Sequence, residues 1–185
     1  MKNIFNVILV LFVSLFIFSC RSSDDIPEDI HEHEEIEKVI LTVTEQGTAN
    51  VQTINYIGGT ADSNISLENG KTYDVSLDFL HKHDDHYHSM VHEIEEEKDE
   101  HFITYEFAGV SANVIRTAED IVRNDGKKLG LKTQWTVTSA TINAKVNIKL
   151  FHGASSVNDM HPSAENQLGI TTGGEADVNA MLNIQ

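Results

Sequence analysis

Apolar residues recur at every second position over several stretches of this chain, and this period constrains the fold more than any other feature. Tyr73, Val75 and Leu77, for example, alternate with Asp74 and Ser76. A period of two places the apolar side chains on one face of a β-strand, whereas a helix needs a spacing of three or four. The pattern predicts strands around residues 39–43, 73–79, 103–107, 131–137, 144–150 and 178–184.

Turn-forming residues separate these predicted strands. Asn69-Gly70 is typical of a two-residue hairpin turn, because both residues accept the positive φ angles that such turns need. Gly58-Gly59 and Gly173-Gly174 are further turn signals. Short antiparallel strands joined by tight turns predict an all-β fold, an antiparallel β-sandwich. An Ig-like arrangement and a barrel-like one stay open, since both bury one face of each strand.

One segment, residues 88–101, breaks the period of two. It is rich in glutamate, a good helix former, and it lies between two predicted strands, so the sequence predicts one short acidic helix inserted there. Residues four apart share a face of a helix. Pairs with that spacing are His88 and His92, His92 and Glu96, Glu93 and Glu97, and Glu97 and His101.

Histidines are concentrated in the same part of the chain, where six fall within twenty-one residues and alternate with acids. Neutral imidazole is the commonest protein ligand for transition metals, and carboxylates add ligands or fix the imidazole tautomer. The pattern predicts binding of a divalent transition metal, zinc first and copper or nickel otherwise, for capture, buffering or delivery to an outer-membrane receptor. The predicted ligands are His81, His83, His86, His88, His92, Glu96 and His101.

Three alternatives to a metal site stay open for these histidines. They belong to a solvated polar loop, or to a patch that gains charge in mild acid, or they are incidental on a surface interaction module that binds a protein or glycan partner. His152 and His161 are weaker metal candidates, which the fold would have to bring to the cluster. His31 and His33 repeat the same His/acid pattern nearer the amino terminus.

The amino terminus indicates where the protein is located. Lys2 precedes an apolar stretch over residues 4–18, which predicts a lipoprotein signal peptide over residues 1–19. Ser19-Cys20 ends this stretch in the manner of a bacterial lipobox, so we expect Cys20 to carry lipid. An acidic flexible tether over residues 20–36 and a single β-sandwich domain over residues 37–185 would then follow. The chain is predicted to be an outer-membrane lipoprotein, exposed at the cell surface or otherwise facing the periplasm.

The chain is also strongly acidic, with 29 Asp and Glu against 13 Lys and Arg and a formal net charge of −16. Such a surface is repelled by phosphates, which argues against nucleic-acid binding, and it attracts cations. Catalytic motifs are missing as well: His92-Glu93 lacks the second histidine of His-Glu-x-x-His, and the chain contains no Gly-x-Ser-x-Gly elbow and no phosphate-binding loop. The sequence therefore predicts a binding protein and not an enzyme.

Five short segments carry a resemblance to a known family: residues 20–25, 39–44, 69–73, 92–101, with the ending Asp-Glu-His, and 173–178. Together they resemble the motifs of small uncharacterised all-β lipoproteins of Bacteroidetes, chiefly flavobacteria. That resemblance implies an all-β lipoprotein of unsettled role. The histidine run from His81 to His88 departs from the plain acidic or polar loop that such proteins commonly have, and it favours metal binding in this chain.

Overall fold

The computed structural model describes residues 35–163 and 167–185, and this part of the chain is mostly antiparallel β-strand with one short helix. The prediction of an all-β antiparallel fold with a short acidic helix is therefore confirmed, while the choice between sandwich and barrel stays a prediction. The elements are β1 (Ile36–Glu45), β2 (Val51–Ile57), β3 (Thr60–Ala61), β4 (Thr72–His83), β5 (His86–Ser89), α1 (Val91–Glu96), β6 (His101–Arg116), β7 (Lys132–His152), β8 (Ser156–Ser163), β9 (Gln167–Thr172) and β10 (Glu175–Ile184).

The strands form one hydrogen-bonded network in the order β3-β2-β1-β4-β7-β6-β9-β8. β5 adds to β4, and β10 adds to β7. Every pairing between these strands is antiparallel. Five of the pairings join neighbours in the sequence, as short connections between antiparallel strands allow: β1 with β2, β2 with β3, β4 with β5, β6 with β7, and β8 with β9.

The longest strand, β7, changes partner along its length. Its first residues, 132–136, pair with β4, and its last, 144–152, pair with β10. β6 accompanies β7 along both parts, with irregular register near Gly109. Gly109 has φ +71°, and a Cβ on it would lie 2.5 Å from the Thr141 hydroxyl oxygen, so a glycine suits this position.

The alternating apolar residues of these strands form the hydrophobic core. Trp135 is fully buried and meets Tyr105 and Phe107 edge to face, with ring centroids 6.0 and 5.1 Å apart. The Tyr105 hydroxyl donates to the Gly130 carbonyl oxygen at 2.6 Å, and the Trp135 indole N–H donates to the Thr133 hydroxyl at 2.9 Å. The two polar aromatic atoms are therefore satisfied inside an apolar interior, as burial requires.

The helix is shorter than the sequence indicates. It covers Val91–Glu96 and not residues 88–101, because His88 belongs to β5 and His101 begins β6. His88 and Ser89, which precede the helix, pair with β4, and His101 pairs with β7. Ile94 is the buried residue that fixes the helix to the core. The two residues of each pair, His88 with His92 and Glu97 with His101, therefore do not lie on one helix. No helix in the described residues is long and apolar enough to cross a membrane.

The predicted signal peptide, Cys20 and residues 20–34 of the predicted tether lie outside the described residues. The described chain opens with Glu35, and β1 begins at Ile36. Location and lipid attachment therefore stay predictions from the sequence.

Candidate metal centre at the start of β6 and the end of β7

Two histidines meet where β6 begins and β7 ends. His101 and His152 are direct partners in the antiparallel register, so their side chains project from the same face of the two strands. Their imidazole rings stack, with centroids 4.9 Å apart and planes inclined by 29°. Because backbone pairing fixes both Cα positions, these rings are brought together by the fold itself and not by chance contact of long side chains.

Glu97 completes a group of three potential metal ligands with His101 and His152. One ligand atom from each residue lies within 4.8 Å of the other two, and this is the one such group of His, Cys, Asp and Glu in the described chain. Glu97 follows the last residue of α1, and the turn after it brings the chain back to His101. The group therefore combines a helix end with a strand pair, and its members are partly or fully buried.

Hydrogen bonds orient both imidazoles. His101 Nδ1 lies 3.2 Å from the Glu97 carbonyl oxygen, and a proton on Nδ1 donates to that oxygen and leaves the Nε2 lone pair for a ligand. His152 Nε2 lies 3.0 Å from a carboxylate oxygen of Glu100, which leaves Nδ1 as its other ring nitrogen. A carbonyl or carboxylate bonded to the second ring nitrogen is the usual support of a metal-binding histidine.

The electrostatic setting keeps His101 neutral. Burial lowers the pKa of His101, and the neighbouring His152 lowers it further. The Glu97 carbonyl and the negative charges of Asp177 and Glu97 act in the opposite direction. Since a metal ion binds the neutral imidazole, a lowered pKa means that no proton has to be displaced from His101 near neutral pH.

A polar loop holds the backbone around this cluster. The Arg123 guanidinium donates to the carbonyl oxygens of Lys98 and His101, and the Gly153 amide donates to the Glu100 carbonyl oxygen at 2.9 Å. The Asn124 amide donates to the Asp99 carboxylate at 2.8 Å. These bonds fix the turn over residues 97–101, from which two of the three candidate ligands project.

The structure divides the predicted ligands among three places. His101 is in the cluster, whereas His92 and Glu96 form a separate, exposed pair on α1, with a nitrogen to oxygen distance of 3.5 Å. The remaining four predicted ligands lie on the β4–β5 hairpin and are not members of the group of three; they are His81, His83, His86 and His88.

Two members of the cluster were not among the predicted ligands. Spacing pairs Glu97 with His101, but Glu96 is the predicted acid ligand. His152 is only a weaker candidate in the sequence, because the signal that identifies it is strand register, which sequence spacing does not contain. His31, His33 and the side chain of His161 lie outside what the structure describes.

Comparison with known proteins found no family model, no curated protein and no solved structure that matches this chain. The class of the site therefore rests on its own geometry. That geometry defines a partly buried two-histidine, one-carboxylate group at a strand end. The resemblance to Bacteroidetes lipoproteins stays a prediction.

Proposed function

We propose that this protein is an extracytoplasmic, lipid-anchored protein that binds a divalent transition metal at Glu97, His101 and His152. The observation that carries the proposal is the convergence of these three ligand atoms within 4.8 Å around a stacked pair of histidines in strand register. The ends of two strands and the turn after α1 hold the three donor atoms close together without an ion. Such preorganisation lowers the conformational cost of binding.

Zinc suits this donor set best. Two imidazoles and one carboxylate are an established three-ligand set for zinc, with metal–ligand distances of about 2.0–2.2 Å. The three donor atoms lie within 4.8 Å of one another, so small inward movements would bring each of them to that distance from a shared ion. A three-ligand site also keeps one coordination position open for water or for a donor from another molecule, and copper or nickel would fill the same group with a different geometry.

An open position favours capture and transfer over permanent structural binding. The acidic chain attracts cations towards the site, and partly exposed ligands allow the ion to leave. If Cys20 carries lipid as predicted, the site is held near the outer membrane, where a transport receptor could accept the ion. Metal capture, buffering or delivery is therefore the role that we propose.

Calorimetric titration with Zn²⁺ tests this proposal on residues 22–185, beside a variant with His101→Ala and His152→Ala. We expect saturable binding with a Kd below about 1 μM, weakened by at least about a hundredfold in the double variant. His92→Ala is the matched control, because it removes an exposed histidine outside the cluster.

Equal zinc binding by the wild type and the double variant would contradict the proposal. So would the absence of saturable binding in a wild-type protein whose circular dichroism shows the folded β structure. The surface interaction module would then be the better hypothesis. Partner binding that is insensitive to chelators would support that alternative.

A further inference from the structure

The β4–β5 hairpin carries four histidines in a regular arrangement outside the proposed zinc site. Its two strands are joined by Asp84 and Asp85, and Asp84 has φ +56°, a left-handed conformation that such a tight turn demands. The antiparallel register sets His81 opposite His88 and His83 opposite His86.

All four imidazoles project from one face of this hairpin. Residues directly opposite each other share a face, and so do residues two apart on one strand, which makes the four histidines a two-by-two array. Lys82 and Tyr87 are partners on the other face. Lys38 Nζ also approaches that other face, 5.4 Å from the centroid of the Tyr87 ring. The histidine face therefore presents no Lys or Arg from the hairpin.

Distances across the array suit a shared ion. Directly opposed Cβ atoms in an antiparallel pair are about 4.5–5.5 Å apart, a span that two imidazoles can bridge through one metal. The diagonal pair His83 and His88 already lies with ring centroids 6.4 Å apart at an interplanar angle of 72°. Asp84 adds a carboxylate 3.4 Å from His83 Nδ1, which contributes negative charge beside the array.

Side-chain freedom decides how such a site would form. His83, His86 and His88 are exposed, so their rings change rotamer rapidly and at little cost. His81 is more enclosed, and its Nδ1 lies 3.0 Å from the Glu35 carbonyl oxygen and 3.4 Å from a Glu37 carboxylate oxygen, two contacts that orient the ring. The backbone is therefore set in advance, while three rings must rotate to converge.

We propose that this array is a second metal site, ligated by its imidazole nitrogens, that takes Cu²⁺ in preference to Zn²⁺. Nitrogen-rich sets with planar geometry favour copper(II), whereas a carboxylate and two imidazoles in a compact group suit zinc. The hairpin site shares no ligand with the Glu97–His101–His152 group. It would give the protein a surface position for copper that is independent of the proposed zinc function.

Copper titration followed by electron paramagnetic resonance tests this inference on residues 22–185. All proteins carry His31→Gln and His33→Gln, so that the predicted tether adds no nitrogen ligands, and His101→Ala with His152→Ala, so that the first site is removed. The test variant adds His83→Gln and His88→Gln, and the matched control adds His92→Gln instead. Glutamine at exposed positions preserves polarity, and circular dichroism confirms that each variant is folded.

We expect one Cu²⁺ with hyperfine splitting from several nitrogens, and a loss of at least about tenfold in affinity in the test variant but not in the control. Copper affinity and nitrogen splitting that are unchanged by His83→Gln and His88→Gln would overturn the inference. So would tighter binding of Zn²⁺ than of Cu²⁺ at this array. Because the first site is absent from every protein compared, failure of the zinc proposal would leave these outcomes unaffected.

Discussion

The two histidine groups of this protein differ in how their members meet. In the cluster, His101 and His152 come from different strands, are paired by register and lie stacked and partly buried. On the hairpin, His83, His86 and His88 are close in sequence and exposed. A high local density of histidine therefore marks the more exposed group. Convergence of ligand atoms arises where the fold brings distant residues together.

This difference affects the free energy of metal binding. An exposed histidine loses rotamer freedom when it binds an ion, and that loss subtracts from affinity. A histidine that is already oriented by neighbours, as His101 is by the Glu97 carbonyl, has less freedom to lose. The cluster should therefore bind more tightly per donor, and the hairpin should exchange its ion more readily.

The largest expected effect is on the free energy of unfolding, and it tests whether the buried side chains of β6 and β7 support the cluster. Trp135→Ala removes a fully buried side chain that contacts Tyr105 and Phe107, and should lower the free energy of unfolding by roughly 3–5 kcal/mol. Urea unfolding followed by circular dichroism measures this change. Tyr87→Ala on the hairpin is the control and should cost much less, since Tyr87 is exposed. A loss below about 1 kcal/mol in the Trp135 variant would contradict this account of the core.

Zinc should stabilise the whole fold through the cluster. An ion at a hundred times its Kd adds about 2.7 kcal/mol to the free energy of unfolding when it binds the folded state alone. We expect that increase in the wild type and its disappearance in His152→Ala. Copper at the hairpin should add less, because the end of the hairpin beyond His81, which pairs with β5 alone, can open without unfolding the rest. An equal zinc effect in the His152 variant would place the stabilising ion elsewhere.

Acid should act through His101 in metal-free protein. Burial lowers the pKa of His101 in the folded state, so the unfolded chain binds more protons between the ordinary pKa near 6.5 and the lowered one. Stability contributed by the neutral imidazole is therefore present above that ordinary value and is lost as the pH falls through the window. Urea midpoints from pH 7.5 to 5 should fall less in His101→Gln than in the wild type. Parallel pH profiles would exclude His101 as the cause.

The smallest effect belongs to the hairpin. His83→Gln should change the free energy of unfolding by less than about 0.5 kcal/mol, because the side chain is 73% exposed. Thermal unfolding without metal measures it, with His92→Gln as an equally exposed comparison. A loss above about 1 kcal/mol would show that the hairpin histidines serve the fold, and would weaken the distinction between the two groups.

The sequence predicts the strands well because their signal is local. Alternation at 73–79 and 144–150 reports one buried face, and Tyr73, Leu77, Ile148 and Leu150 are indeed buried. The helix is less well predicted. The acidic residues 97–100 after it favour a helix by propensity but form a turn, and His88 and Ser89 before it pair with β4. Helix propensity alone does not predict whether these residues form a helix, a turn or a strand.

The candidate site is only partly predictable for a related reason. His101 is in the predicted set, and Glu97 is one residue from the acid that spacing selected. His152 enters through the pairing of β6 with β7, a long-range register that is set by the whole interior. The hairpin histidines could be predicted as neighbours, but their position on one face depends on where the Asp84-Asp85 turn falls.

The change of partner along β7 has a consequence for the kinetics of folding. β6 and β7 can form a local ribbon early, but the outer edge of β7 is completed from opposite directions in the sequence, by β4 along residues 132–136 and by β10 along residues 144–152. Each docking closes a long loop, and such non-local steps slow the folding of β proteins. Until both occur, the ribbon exposes unpaired backbone that another chain can extend. His101 and His152 lie at the end of the ribbon completed by β10, so an ion held between them would tie these strands together while β10 was still absent.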